Sequence, residues 1–379
     1  MGFAYLWRDS ATHHERYGGD FVVFWSAANI ASRGHPEDVF DLETIHAEER
    51  KTVPDSGAYP WYYPPPFLLI VRPFAALPYW LALLAWSAIG LGALGSAAYF
   101  CGGRTVGAIG LPLMAIVTNL GFGQNGWLTG AILGFGLTLV SSRPFTAGLV
   151  LGLLSYKPHF APLAVLALLV MRNWRALAGV ATSGVAFAAT SAVVFGVGVW
   201  QEFLANGSQA AEALYSPGAW EKMPGVVSAL MLAGAPKIVA QGGQAAWTLG
   251  LAAAVVWLVR SEASPRVRNA GIVVASLAAS PYIFVYDLAA LAVVYAWLLS
   301  DAKDRPFRPW ELAILGVSCV SPIGVWVVAD VTGIQFGPLV LLVLMAIVVG
   351  RALSSRTVSL PSKASGPTKL LEPRINPVS

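Results

Sequence analysis

A lone carboxylate, Asp20, heads an apolar, aromatic stretch, YGGDFVVFWSAA (17–28), in a chain where only 12% of residues are charged. An acid there has two readings. It caps the start of the helix that follows, or it serves as a general base in a pocket at the membrane edge, where partial desolvation raises its basicity and helps it take a proton from a hydroxyl. Lys157, in LGLLSYKPHFAPL (151–163), lies between two apolar half-spans. A buried cation is costly and marks function by default, although a lysine near the interface also snorkels without further role. Pro158 breaks the helix beside it and His159 adds a second donor, and a cation at a broken helix suits an anionic lipid phosphate. Arg72, in FLLIVRPFAALP (67–78), carries the same two readings.

Aromatic residues accompany these charges. WYYPPPF (61–67), with Tyr63, and SPYIFVYD (280–287), with Tyr282, supply rings that read as an interfacial belt or as walls on which a sugar stacks. Asp287 at the end of the second motif is a helix cap or a second acid of the cavity. In GQN (123–125), Gln124 is a candidate hydrogen-bonding group for substrate and Asn125 reads as part of a turn. His13, His14 and Glu15 are adjacent and lack metal-ligand spacing, so no metal site is expected. Cys101 and Cys319 lie in or beside apolar spans and suggest neither a disulfide framework nor zinc. NGS at 206–208 is a weak match to a glycosylation sequon. No cofactor is implied.

The elements that must position these residues cross a membrane. The chain has 379 residues and is 56% hydrophobic, an excess of apolar surface that one globule cannot hide. Charge-free segments such as 77–101 and 176–200 have the length needed to cross a hydrocarbon core. Crossings are expected near 79–101, 105–121, 126–141, 145–156, 159–171, 174–200, 237–260, 269–281, 283–300, 311–329 and 336–352, about eleven in all. Several are short, as helices lining an internal cavity are allowed to be. Residues 18–66 form a first outer loop carrying the acid, 201–236 form a second large outer loop, and 1–352 make a single transmembrane domain. The tail 353–379 reads as disordered and cytoplasmic.

Orientation follows from the basic residues. Arg104, Arg143, Arg172, Arg175, Arg260, Arg266, Arg268, Lys303, Arg305, Arg308 and the tail cations all fall on one side, while the opposite loops are neutral or acidic. Asp20, Tyr63, Gln124, Lys157, Tyr282 and Asp287 then share the extracytoplasmic boundary. The net charge of +4 is spread singly over short loops, which excludes a nucleic-acid patch. Intramembrane Lys157 and broken helices also suit a transporter or a lipid or glycolipid flippase. Such a protein needs polar residues along a path to both faces, and here they collect on one.

Five motifs in order, GGDFVVFWSAANIASRGHPEDVFD (18–41), YPPPFLLIVRPFAALP (63–78), GQNGWLTGAILGFGL (123–137), SYKPHFAPLAVLALLVMRNWRAL (155–177) and SPYIFVYDLAALAV (280–293), resemble glycosyltransferase family 87. The resemblance implies an all-α polytopic membrane protein with a GT-C type fold, in which an acidic residue of the first extracytoplasmic loop, Asp20 here, is catalytic. It implies an inverting hexosyltransferase that uses no nucleotide sugar. The partners are a polyprenyl-phosphate sugar donor, with mannose the foremost sugar, a lipid- or polysaccharide-linked acceptor and membrane lipid, in a bacterial-type plasma (inner) membrane. Lys157, His159 and Arg72 would meet the donor phosphate, and Tyr63, Gln124, Tyr282 and Asp287 would line the substrate site. Two departures stand out. Family members carry a helix before the acidic loop, so a twelfth crossing is expected upstream of Asp20, and Tyr282 stands where some relatives have His.

Overall fold

The protein is described by a computed structural model covering residues 18–54, 56–103, 113–215 and 217–358. Among them every regular element is helical. Helices α1 (Phe21–Ser32) and α2 (Leu42–Thr52) are joined by the short 3₁₀ turn Pro36–Phe40, and together they build the first loop region. Then α3 (Pro66–Val71) runs into the 3₁₀ turn Arg72–Ala76, and the long α4 (Tyr79–Gly102) follows. Next come α5 (Leu113–Phe122), α6 (Gly126–Leu139), α7 (Pro144–Gly152), α8 (Pro162–Val170) and α9 (Trp174–Phe195). The segment after α9 holds α10 (Gly198–Ala205), α11 (Gly207–Ala213) and α12 (Val226–Leu232). The chain finishes with α13 (Lys237–Arg260), α14 (Pro265–Ala279), α15 (Leu291–Asp301), α16 (Pro309–Thr332) and α17 (Gly337–Val358).

Among the described residues, five helical segments are long and apolar enough to cross a membrane: Tyr79–Gly102, Trp174–Phe195, Lys237–Arg260, Pro309–Thr332 and Gly337–Ser354. Other expected crossings coincide with shorter elements. The one near 126–141 is α6, those near 145–156 and 159–171 are α7 and α8, and those near 269–281 and 283–300 are α14 and α15 with its leading turn. Part of the crossing near 105–121, and the tail beyond 358, lie outside the described residues, as do His13, His14 and Glu15.

Start and stop signals account for the long helices. Pro78 and Pro236 stand at the caps of α4 and α13, while Pro265 and Pro309 open α14 and α16 at a position where the missing N–H costs nothing. Gly103 (φ 81°) ends α4 and Gly333 (φ 70°) ends α16, both in the left-handed region. Trp174–Phe195 is the least enclosed, with Val185 and Val193 outward, as a lipid-facing helix requires. The centre belongs to α14 and α15, whose residues are buried nearly all round; an apolar helix of that kind belongs inside a bundle.

Small residues allow one close approach that bears on the site. In α7, a Cβ added at Gly148 would strike the Ala176 carbonyl, and one at Gly152 would lie 2.6 Å from the Val180 carbonyl. The two helices therefore pack backbone to backbone, the small-xxx-small arrangement of membrane helix pairs. This fixes the strand of chain that leads into Lys157. On the basic side, Arg351 of α17 bonds Asp301 (3.0 Å) and Glu311 (3.2 Å), and Ser264 donates to Asp301 (2.7 Å), tying α14 to α17 together at one end.

Candidate active site

Asp20 closes a glycine-framed turn. Gly18 (φ 77°) donates its N–H to the Gly121 carbonyl over 2.8 Å, and Tyr79 Oη donates to the Gly18 carbonyl over 3.1 Å. Facing it, Gly123 (φ 67°) turns the chain between α5 and α6, and a Cβ there would fall 2.7 Å from Phe21 Cβ. Trp86 Nε1 holds the same turn by donating to the carbonyls of Gly123 (3.0 Å) and Gln124 (3.3 Å). Two turns far apart in sequence are thus pressed together by residues that only glycine can supply.

The consequence is a short polar chain. Gln124 Nε2 donates to Asp20 Oδ2 over 2.9 Å, and Tyr63 Oη donates to Gln124 Oε1 over 3.2 Å. Asp20 stands at the head of α1, yet its side chain makes no capping bond to that helix. The capping alternative is therefore not what its carboxylate does. Tyr63 is held in place by rings: its centroid lies 4.4 Å from that of Phe67, which stacks on Tyr156 at 5.2 Å.

Lys157 occupies the break between α7 and α8, where 3₁₀ turns Leu153–Tyr156 and Pro158–Phe160 flank it. It is 4% exposed, and its Nζ meets Asp287 Oδ1 at 2.5 Å and Asn125 Oδ1 at 2.9 Å. The rings of Tyr286 and Phe160 lie 5.2 and 5.4 Å from the ammonium. Asp287 accepts the Phe284 N–H at 3.0 Å with one oxygen and meets Lys157 with the other. A buried charge is tolerable when paired and hydrogen-bonded, which both members of this pair are.

His159 is deep in the same region, its ring 5.8 Å from that of Tyr282, and its Nε2 has no partner among the described residues. Arg72 is elsewhere. It is exposed and lines a surface groove with Asn29, Ser32 and Arg33, because the helix carrying it gives way to a 3₁₀ turn at Pro73 and turns its side chain outward. The structure brings Asp20, Gln124 and Tyr63 together, and Lys157 with Asp287; it does not join Arg72 to either group.

A family model, Glycosyltransferase family 87, matches residues 61–281, more than half of the chain. The chain belongs to glycosyltransferase family 87. As a family 87 member it is a membrane glycosyltransferase, and the transporter reading falls away. The matched stretch includes Tyr63, Gln124, Lys157 and His159, while Asp20, Tyr282 and Asp287 flank it. The same comparisons find no curated protein and no solved structure that matches.

This family 87 chain also carries a residue that the motifs did not single out. Glu49 of α2 is fully buried, and so nearly is its neighbour Glu48, but Glu48 pairs with Arg33 (2.5 Å) and Lys51 (2.6 Å). Burial pushes the Glu49 carboxyl up to about 8, with the charge of Asp20 adding to the rise and the Tyr59 N–H bond (3.3 Å) opposing it. The hydrogen bond from Arg33 holds Glu48 below the ordinary range instead. Two adjacent carboxyls are driven in opposite directions. The signal was present in the sequence: Ile45, Glu49 and Val53 recur every four residues, so Glu49 lies on the apolar stripe of its helix.

Proposed function

We propose that this enzyme transfers a hexose, mannose foremost, from a polyprenyl-phosphate donor to a lipid- or polysaccharide-linked acceptor on the extracytoplasmic face of a bacterial-type plasma membrane, through a GT-C type fold. Asp20 is the general base. It takes the proton of the acceptor hydroxyl as that oxygen attacks the anomeric carbon from the face opposite the phosphate. The new carbon–oxygen bond forms while the anomeric carbon–phosphate oxygen bond breaks, the bonding pair leaves with the polyprenyl phosphate, and configuration inverts.

The observation that carries this reading is the chain from Tyr63 through Gln124 to Asp20. It orients one carboxylate through a neutral amide donor that cannot itself take up its proton. An ordered carboxylate in a partly enclosed turn is what proton abstraction requires. Charge on the departing phosphate is met by Lys157 and His159. Two of the three N–H groups of Lys157 are committed to Asp287 and Asn125, and the third is available to a phosphate oxygen. His159 Nε2 is a further group for that oxygen. Arg72 is left out of this phosphate site. The basic residues at the far ends of α7, α8, α13 and α14 support the sidedness, since they gather opposite to Asp20 along the chain.

Purified protein in detergent, incubated with a panel of polyprenyl-phosphate hexoses and total membrane lipids, tests the reading. New glycolipids heavier by one hexose, formed with a polyprenyl-phosphate donor and not with a nucleotide sugar, support it. Transfer from a nucleotide sugar alone contradicts it.

A further inference from the structure

The first loop region places a second carboxyl within electrostatic reach of the proposed base. Helix α2 packs across α1, and Glu49 points inward from it with a side chain that has no solvent exposure. Its Oε2 accepts the Tyr59 N–H at 3.3 Å and lies 3.2 Å from His46 Nδ1. Its Oε1 is buried and has no partner among the described residues. The neighbouring cations face elsewhere: Arg50 is exposed, and Arg33 and Lys51 both bond Glu48. The turn Pro36–Phe40 brings Glu37 and Asp38, which are acidic, and the head of α1 brings Asp20, whose charge reaches Glu49. Among the described residues, the acid whose charge reaches Glu49 is Asp20, and the basic group in contact with it is His46 on its own helix.

A buried carboxyl whose basic contact is an imidazole and not a lysine or arginine, and which feels the charge of another acid, is more stable with its proton on. We propose that Glu49 is a positioning residue of the transfer site, which stays protonated at neutral pH so that it adds no negative charge to that of Asp20 where the anionic donor must bind. This inference rests on the donor being a phosphate ester, as proposed above. Loss of the Glu49 proton to water places a second negative charge beside Asp20. That charge opposes entry of the phosphate and raises KM for the donor more than it lowers kcat. The same neutral carboxyl lets α2 seal against α1 without a buried ion.

The test has two arms on the full chain. In the first, infrared difference spectra between the wild type and Glu49→Gln, recorded without substrate, report the carbonyl stretch of a protonated carboxylic acid. The band is expected at pH 7 and should vanish as pH is raised through about 8. In the second, kcat/KM for polyprenyl-phosphate mannose is followed against pH. The wild type should fall roughly tenfold per pH unit above its midpoint, through KM, whereas Glu49→Gln, whatever its absolute rate, should show no such limb. No carboxylic-acid band at pH 7, or the same alkaline limb in Glu49→Gln, overturns the proposal. If neither protein consumes a polyprenyl-phosphate sugar, the functional reading fails on its own, and the infrared band still decides the state of Glu49.

Discussion

Gln124 Nε2 and Asp20 Oδ2 lie 2.9 Å apart across 104 residues of sequence, joining the turn that opens α1 to the turn that opens α6. The bond fixes the orientation of a carboxylate that has no capping bond to its own helix. It also assigns the Gln124 amide: its nitrogen faces Asp20 because its oxygen accepts from Tyr63.

Gln124→Ala should therefore misalign the base without removing it. A lost hydrogen bond to a charged group is worth about 1.5–3 kcal/mol, so kcat should drop roughly tenfold to a hundredfold while KM for the donor changes little. Steady-state kinetics on matched amounts of folded protein checks this. A KM effect with kcat intact would assign Gln124 to substrate binding instead.

Lys157 and Asp287 form a buried pair at 2.5 Å, and removing one partner strands the other. Lys157→Met should cost about 3–5 kcal/mol, visible as a lower unfolding temperature in detergent. Adding Asp287→Leu should restore much of that stability, since an apolar pair of similar volume replaces the ions. Transfer should stay lost in the double variant, because the N–H proposed for the phosphate is gone. Recovery of both stability and transfer would make the pair purely structural.

The burial of Glu49 links loop stability to pH with a definite sign. Its carboxyl is raised from 4.5 to about 8 in the folded protein, so the folded state holds the proton more tightly than the unfolded one. Its stabilising contribution is fully present below about pH 4.5 and is lost as pH rises through about 8. Limited proteolysis after Arg50 or Lys51 should accelerate in the wild type as pH rises from about 4.5 to about 8 and level off above that, and Glu49→Gln should remove the rise.

Much of this architecture is legible in the residues because membrane physics is written in composition. Long charge-free runs, prolines at helix starts and glycines at helix ends mark α4, α9, α13, α16 and α17. Asp20, Gln124, Lys157 and Asp287 stand out for a related reason, being polar groups in apolar surroundings. Their partnerships do not. That Gln124 meets Asp20, and that Asp287 takes up much of the charge of Lys157, depends on which turns the bundle presses together, information that resides in long-range packing. Arg72 looked like Lys157 in sequence, an isolated cation before a proline, but the first faces outward and the second is enclosed. Glu49 was masked by company, one acid among several in a loop that reads as solvated, and only the spacing from Ile45 to Val53 sets it apart.

The account turns on Asp20 as the base, and Asp20→Asn tests it most directly. Asparagine keeps the shape and can still bond Gln124 after an amide flip, but it does not accept a proton. With labelled polyprenyl-phosphate mannose and acceptor lipid in proteoliposomes, transfer by Asp20→Asn should fall by about 10²–10⁴-fold, with membrane insertion and unfolding temperature unchanged. Transfer within about tenfold of the wild-type rate would contradict the assignment and require another base.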